Sequence, residues 1–151
     1  MKRFSFRLKG LLVLRELRET QAANLLAERL AHQGRLEQAW EQAQARAEAA
    51  RANLWQAEGT RFGPHAHTAA LADFDRRLAD ERAAQTAVQN HAKPLALARQ
   101  AWAEAGRNVK IVSNLRAKAE ERHLHQAARV EQAELDEAAS RIVSASPSLL
   151  S

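Results

Sequence analysis

Histidine is the residue in this sequence best suited to chemistry, and four of the six histidines fall in two His-x-His pairs, His65/His67 and His123/His125. Imidazole nitrogens at close spacing can hold a divalent transition metal. On a helix, however, residues two apart point about 200° away from each other, so His123 and His125 cannot share one ion. His65 and His67 lie in a stretch rich in helix breakers and could converge. Two ligands with neither cysteine nor a neighbouring carboxylate still make a weak site, and the chain has no cysteine at all. The other constellations of catalysis are missing: there is no Gly-rich phosphate loop, no Gly-x-Ser-x-Gly elbow and no His-Glu-x-x-His. The reading is therefore of a protein that is not an enzyme, with no catalytic residue, no metal and no cofactor.

The elements that carry these residues explain why. Ala, Leu, Glu, Gln and Arg dominate the 151 residues, aromatics make up 5% and tyrosine is absent. These are the strongest helix formers, and such small or unbranched side chains cannot fill a wide core. They suit a narrow seam between two helices, which has no interior large enough for a dry catalytic cleft. Leu36, Trp40, Ala43, Ala47, Ala50, Leu54 and Ala57 recur at alternating spacings of four and three, the signature of a coiled-coil seam. Leu95, Ala98, Trp102, Ala105, Val109 and Val112 repeat it. Leu124, Ala128, Leu135, Ala138 and Ile142 do so again with Glu131 interrupting, and the phase slip before this run predicts a change of winding near residues 115–123. Trp40 and Trp102 read as seam fillers that do not meet, and Trp55 as a flank of the seam or a contact residue.

Between the halves, Gly59-Thr60-Arg61-Phe62-Gly63-Pro64-His65 is the densest cluster of helix breakers. The predicted fold is all-α, a long antiparallel two-helix coiled-coil hairpin over residues 1–143. Its helices run at about 5–58 and about 68–143, with a turn at about 59–67 and a disordered tail at 144–151. Pairing outward from residue 63 sets position 8 near position 118. The second helix then overhangs the first by about 20 residues, roughly 30 Å, and Leu124, Leu135 and Ile142 form a stripe there with no partner in their own chain. Pro94 kinks the second helix or breaks it. A break would let residues 68–92 and 94–143 fold back as a three-helix bundle, whereas continuous spacing through Val88, Ala92 and Leu95 favours a kink.

The net charge of +5 is concentrated at the start, where Lys2 to Arg18 hold six basic residues against Glu16. The segment imitates a signal peptide, but Leu11-Leu12-Val13-Leu14 is followed at once by Arg15 and Glu16, too short for an h-region. It reads as retained and functional, and no stretch approaches the roughly 20 apolar residues of a membrane span.

Lys2-Arg3-Phe4-Ser5-Phe6-Arg7-Leu8 running into Leu11-Leu12-x-Leu14-Arg15-Glu16, a central turn, a second long helix with Trp102, and the ending Glu131-Gln132-Ala133-Glu134-Leu135-Asp136-Glu137-Ala138-Ala139 together resemble the flagellar export protein FliJ and the YscO-type stalk proteins of injectisomes. The resemblance spans nearly the whole chain, and Pro94 departs from it. It implies the central stalk of a type III export apparatus, similar to the gamma subunit of rotary ATPases. The stalk would be cytoplasmic and peripheral to the membrane machinery. Paired helix ends would enter a hexameric export ATPase, the turn-proximal part would reach an export-gate membrane protein, and export chaperones would be escorted. The expected ATPase contacts are apolar Phe6, Leu8, Leu11, Leu124, Leu135 and Ile142, with polar Arg7, Lys9, Glu131, Gln132, Asp136 and Glu137. Near the turn, Leu71, Phe74 and Leu78 share a stripe and face Ala52 and Glu48 in the expected register, poor partners for an aromatic ring. They are the expected export-gate contact.

Two other classes compete. A nucleic-acid-binding coiled coil would use the basic start, but Phe4, Phe6, Leu8, Leu11 and Leu12 interleave its charges and no recognition motif accompanies them. An oligomerisation module would use the seams for self-pairing alone. The reading adopted is of protein partners, with no nucleic acid and no insertion into a membrane.

Overall fold

The computed structural model describes residues 2–59 and 63–146, the side chains of 58 and 59 excepted. Two long helices packed against each other make an all-helical hairpin: α1 spans Lys9–Gly59 and α2 spans Pro64–Ala145. There is no strand among the described residues. The three-helix alternative is excluded, because α2 runs without interruption through Pro94. Helix α2 also begins at Pro64 rather than near 68, since proline at a first helical position lacks only an N–H that would be unbonded anyway. The expected turn and tail fall partly on residues 60–62 and 147–151, outside the described residues.

The chain divides into two compact units, one of residues 19–104 and one of residues 1–18 with 105–151. In the first, buried or half-buried positions of α1 recur at 19, 22, 26, 33, 36, 40, 43, 47, 50, 54 and 57. On α2 they recur at 67, 70, 74, 77, 81, 84, 88, 91, 95 and 98. Both series alternate three and four, apart from one step of seven between 26 and 33 on α1, so each helix turns one stripe to the other. Ala43, Ala47, Ala50, Leu95 and Ala98 are the buried apolar positions of this unit. Methyl groups at the contact let two backbones approach closely, and they leave little volume in which a pocket could form.

Pro94 lies where this packing is tightest, flanked by His91 at 6%, Leu95 at 8% and Ala98 at 4% exposure. An interior proline costs a helix about 3 kcal/mol, and burying a leucine side chain returns about 1.5–3 kcal/mol. Packing at one turn is thus large enough to offset most of the defect. His91 Nε2 donates a hydrogen bond of 3.0 Å to the Arg29 carbonyl on α1, and the His32 ring meets His91 edge-on with centroids 4.7 Å apart. Desolvation, and then the nearby His91, Arg35 and Arg29, hold the His32 pKa below the usual histidine value. Gln33 Oε1 and Trp40 Nε1 are buried in the same seam with no hydrogen-bond partner. Trp102, expected in the seam, is 45% exposed.

In the second unit, Leu12 and Val112 are the buried apolar pair, each 5% exposed. The first helix begins at Lys9, not near residue 5: the first turn holds no acid, and the basic residues around it oppose the positive end of the helix dipole. The preceding chain turns instead, with Lys9 N–H bonded to the Phe6 carbonyl at 3.2 Å and Leu12 N–H to that of Leu8 at 3.0 Å. Phe4 then stacks on His123, centroids 5.5 Å apart. The packed stripe of α2 keeps its phase through Ala105, Val109, Val112, Ala119, His123 and Ala127. The expected change of winding near 115–123 therefore belongs to the apolar pattern and not to the packing. Leu124, one residue off this stripe, points away.

Candidate functional site

From residue 128 to residue 146 every side chain of α2 is exposed. Leu124 is 62%, Leu135 58% and Ile142 68% exposed, values that leave the predicted stripe without cover in the chain. Glu131, Gln132, Asp136 and Glu137 are exposed beside it. Gln132 donates to Asp136 Oδ1 at 2.9 Å and Arg141 pairs with Glu137. Such pairs between exposed side chains four apart add only about 0.3–0.5 kcal/mol each, and their charges remain available. The stripe is helical and free, which is the form an amphipathic helix takes before it enters a groove.

The predicted residues of the N-terminal side are arranged differently. Phe6, Leu8 and Leu11 are half-buried, while Arg7 and Lys9 are exposed. Phe6 and Lys9 border an open hollow of about 270 Å³ with Phe4, Ser5 and Arg116, so Lys9 of α1 lies abreast of Arg116 of α2, as the pairing of 8 with 118 requires. Lys2 reaches further, to a second open hollow of about 560 Å³ formed with His123, Ala127, Val130, Glu131 and Glu134. The unit therefore brings the basic start against the beginning of the free helix, and it leaves Leu135, Asp136, Glu137 and Ile142 beyond that hollow.

Leu71 is 43% exposed, and Phe74 and Leu78 are half-buried. These last two line an open hollow of about 550 Å³ with Ala47, Glu48 and Arg51 of α1. The sequence register set Phe74 opposite Ala52 and Leu78 opposite Glu48; Glu48 lines the hollow with both, and Ala52 does not. Asp73 and Arg77 pair at 3.6 Å across the next turn. Phe74 is half-buried beside this hollow, and a partner's apolar side chain could complete its burial.

The histidine pairs converge nowhere. Helix α2 begins at Pro64 and Thr68 Oγ1 donates to the Pro64 carbonyl at 2.8 Å, so His65 and His67 are helical and diverge, as do His123 and His125. No group of three His, Cys, Asp or Glu able to hold a metal exists among the described residues. The hollows are open grooves beside the seam. Among the described residues no helix is long and apolar enough to cross a membrane.

One surface was not singled out from the sequence. Because the helices of each unit run in opposite directions, residues that precede a seam position leave the seam on the same side of both. Leu11 precedes seam residue Leu12, Leu14 precedes Arg15, Ile111 precedes Val112 and Leu115 precedes Arg116, which is abreast of Lys9. Leu14 is 42%, Ile111 59% and Leu115 42% exposed, so together with half-buried Leu11 they form one apolar face on the second unit. Period-seven counting assigns these positions to polar flanks, and only the apolar content of Leu11-Leu12-Val13-Leu14 hinted at them.

A protein-family model described as "FliJ: Flagellar FliJ protein" matches residues 4–148. No curated protein and no solved structure matches the chain.

Proposed function

The chain belongs to the flagellar FliJ protein family, a non-catalytic component of the flagellar export apparatus, and on that premise we propose that it is the apparatus's central stalk. In this reading the free end of α2, with the basic N-terminal segment beside it, inserts into a hexameric export ATPase. Leu124, Leu135 and Ile142 supply the apolar contact, assisted by Phe6, Leu8 and Leu11. Arg7, Lys9, Glu131, Gln132, Asp136 and Glu137 supply charge and hydrogen bonds. The observation that carries the reading is the uncovered apolar stripe on a helix that has no partner in its own chain. Apolar side chains in that number are left in water only where another protein covers them.

Leu71, Phe74 and Leu78 are the docking surface for the export-gate protein at the membrane, supported by the half-packed Phe74. Escort of export chaperones would use the same exposed helix faces, and the protein would work at the cytoplasmic side of the membrane. Truncation after residue 123 tests the first contact. The described residues it removes are all exposed or half-buried, so helicity per residue is retained while stimulation of the ATPase is lost; unchanged stimulation refutes the assignment. For the second contact, Phe74→Ala with Leu78→Ala abolishes gate binding and leaves ATPase stimulation intact. A loss of several kcal/mol in stability, as when buried side chains are truncated, would return both residues to the seam.

A further inference from the structure

We propose that the face of Leu11, Leu14, Ile111 and Leu115 is a docking trough for an acidic amphipathic helix of another protein. Counted at about 100° per residue from the buried seam residues Leu12 and Val112, these four leave the seam on one side, about 60–160° round. Arg18, Lys118 and Arg122 leave on that same side, about 80–120° round, and all three are exposed. Arg122 Nε donates to the Lys118 carbonyl at 3.4 Å, which lays its guanidinium back along the helix towards Lys118. The acids of this stretch point elsewhere: Glu16 and Glu120 leave on the opposite side of the seam, and Glu121 points to the back of α2. The face itself is therefore apolar with basic ends, and no acid of residues 9–18 or 105–123 shares it.

Lys9 abreast of Arg116 sets Leu14 beside Ile111 and Leu11 beside Leu115, two apolar layers about one turn apart. Leu11 is half-buried and forms the floor, which a side chain laid between two helices reaches and a flat lipid surface does not. Arg15 adds a second reason for an acidic occupant. It sits in the seam beside Leu14, half-buried, with its Nε buried and without a hydrogen-bond partner, and a carboxylate is the acceptor that suits a guanidinium best. From Arg18, abreast of Arg107, to Arg122 the trough covers fifteen residues of α2, about 22 Å. The occupant is thus a helix of about four turns, with a leucine-type stripe and carboxylates towards both ends. Leu124 and Leu135 leave α2 on the other side of the seam, so this surface is distinct from the stripe of the stalk reading and the proposal goes beyond that reading.

The test uses a fluorescein-labelled synthetic peptide of about 20 residues, leucine at i, i+3, i+4 and i+7 among glutamate and alanine. It is titrated with the full chain from about 1 to about 100 µM and followed by anisotropy. The glutamate peptide binds about tenfold or more tightly than its lysine counterpart or a shuffled peptide of the same composition, and high salt weakens it. Two variants change exposed residues only, Arg18→Glu with Lys118→Glu and Leu14→Ser with Leu115→Ser; Leu11 is left alone because the ATPase reading also uses it. Each weakens binding about tenfold or more with helicity by circular dichroism unchanged, whereas Leu17→Ser, at the back of α1 and 52% exposed, binds as wild type. Vesicles of equal parts phosphatidylglycerol and phosphatidylcholine do not displace the peptide. A glutamate peptide bound no more tightly than the two controls, binding indifferent to either double variant, or displacement by the vesicles, which assigns the face to lipid, would each overturn the proposal. None of these readouts involves the ATPase, so the stalk reading stands or falls separately.

Discussion

Replacing Pro94 by alanine should stabilise the protein, by less than helix propensity alone would give. The substitution restores a backbone donor to the Asn90 carbonyl and removes the ring clash, together about 3 kcal/mol in an isolated helix. Two effects oppose it. Proline restricts the unfolded chain, an advantage of about 0.4–1 kcal/mol that alanine forfeits. The half-buried ring also gives up ring carbons worth at most about 0.8 kcal/mol each when fully buried. The balance is a gain of about 1 kcal/mol, or roughly 2–4 °C in Tm for a chain of this size, read by thermal denaturation with circular dichroism. The gain requires that the seam at His91, Leu95 and Ala98 tolerates the defect without needing it. A Tm lowered by several degrees would show the opposite, that the proline aims Leu95 and Ala98 at α1.

Gly34 is exposed within α1 and a Cβ built on it meets nothing within 4 Å, so Gly34→Ala should add about 0.5–1 kcal/mol in urea denaturation. Ala50 is 3% exposed in the seam, and Ala50→Leu should cost about 1–3 kcal/mol by overpacking, visible as a lower denaturation midpoint. Because the folded state holds the His32 pKa below its ordinary value, the unfolded chain binds the extra proton. Stability contributed by neutral His32 is therefore fully present above about pH 6.5 and falls as pH drops below it; His32→Asn should flatten that dependence in denaturation midpoints measured at about pH 7.5 and about pH 5.

Most of the hairpin was legible because seam burial obeys one period. Ala43, Ala47, Ala50, Leu95, Ala98 and Val112, all assigned to the seam by spacing, are buried. Spacing and packing disagree at particular residues. Trp102 holds a seam position by spacing and is 45% exposed. The run from Leu124 to Ile142 has the period of a seam, but only a partner could tell its phase, and the segment before α1 has already ended its match at His123 and Ala127. The start of α1 was placed four residues early because apolar Phe4 and Phe6 continue the pattern into a segment whose charges disfavour a helix start. His91 and His32 gave no signal, since each is isolated in sequence and they meet only across the seam. The face of Leu11, Leu14, Ile111 and Leu115 was hidden for a similar reason. It combines two outer stripes that become neighbours only once the register of α1 on α2 is known.

The thinness of the seam has a functional consequence. Among the described residues no large side chain is fully buried, and only seven apolar residues are buried at all, four of them alanine. Two helices joined by so little apolar contact draw little of their stability from within, since helical stability in proteins comes chiefly from packing an amphipathic face. Sixteen large apolar residues among those described are exposed, a reserve that a partner can bury. Binding a partner to the folded form alone adds RT ln(1 + [L]/Kd) to stability, about 2.7 kcal/mol at a hundredfold excess over Kd. For a chain with a thin seam that increment is a large share of the total, so assembly and folding are coupled. A hairpin built this way is firm where a partner holds it and yields elsewhere. Gln33 Oε1, Trp40 Nε1 and Arg15 Nε, buried without a hydrogen-bond partner, fit the same design: they weaken a seam that alanine and leucine could have made stronger.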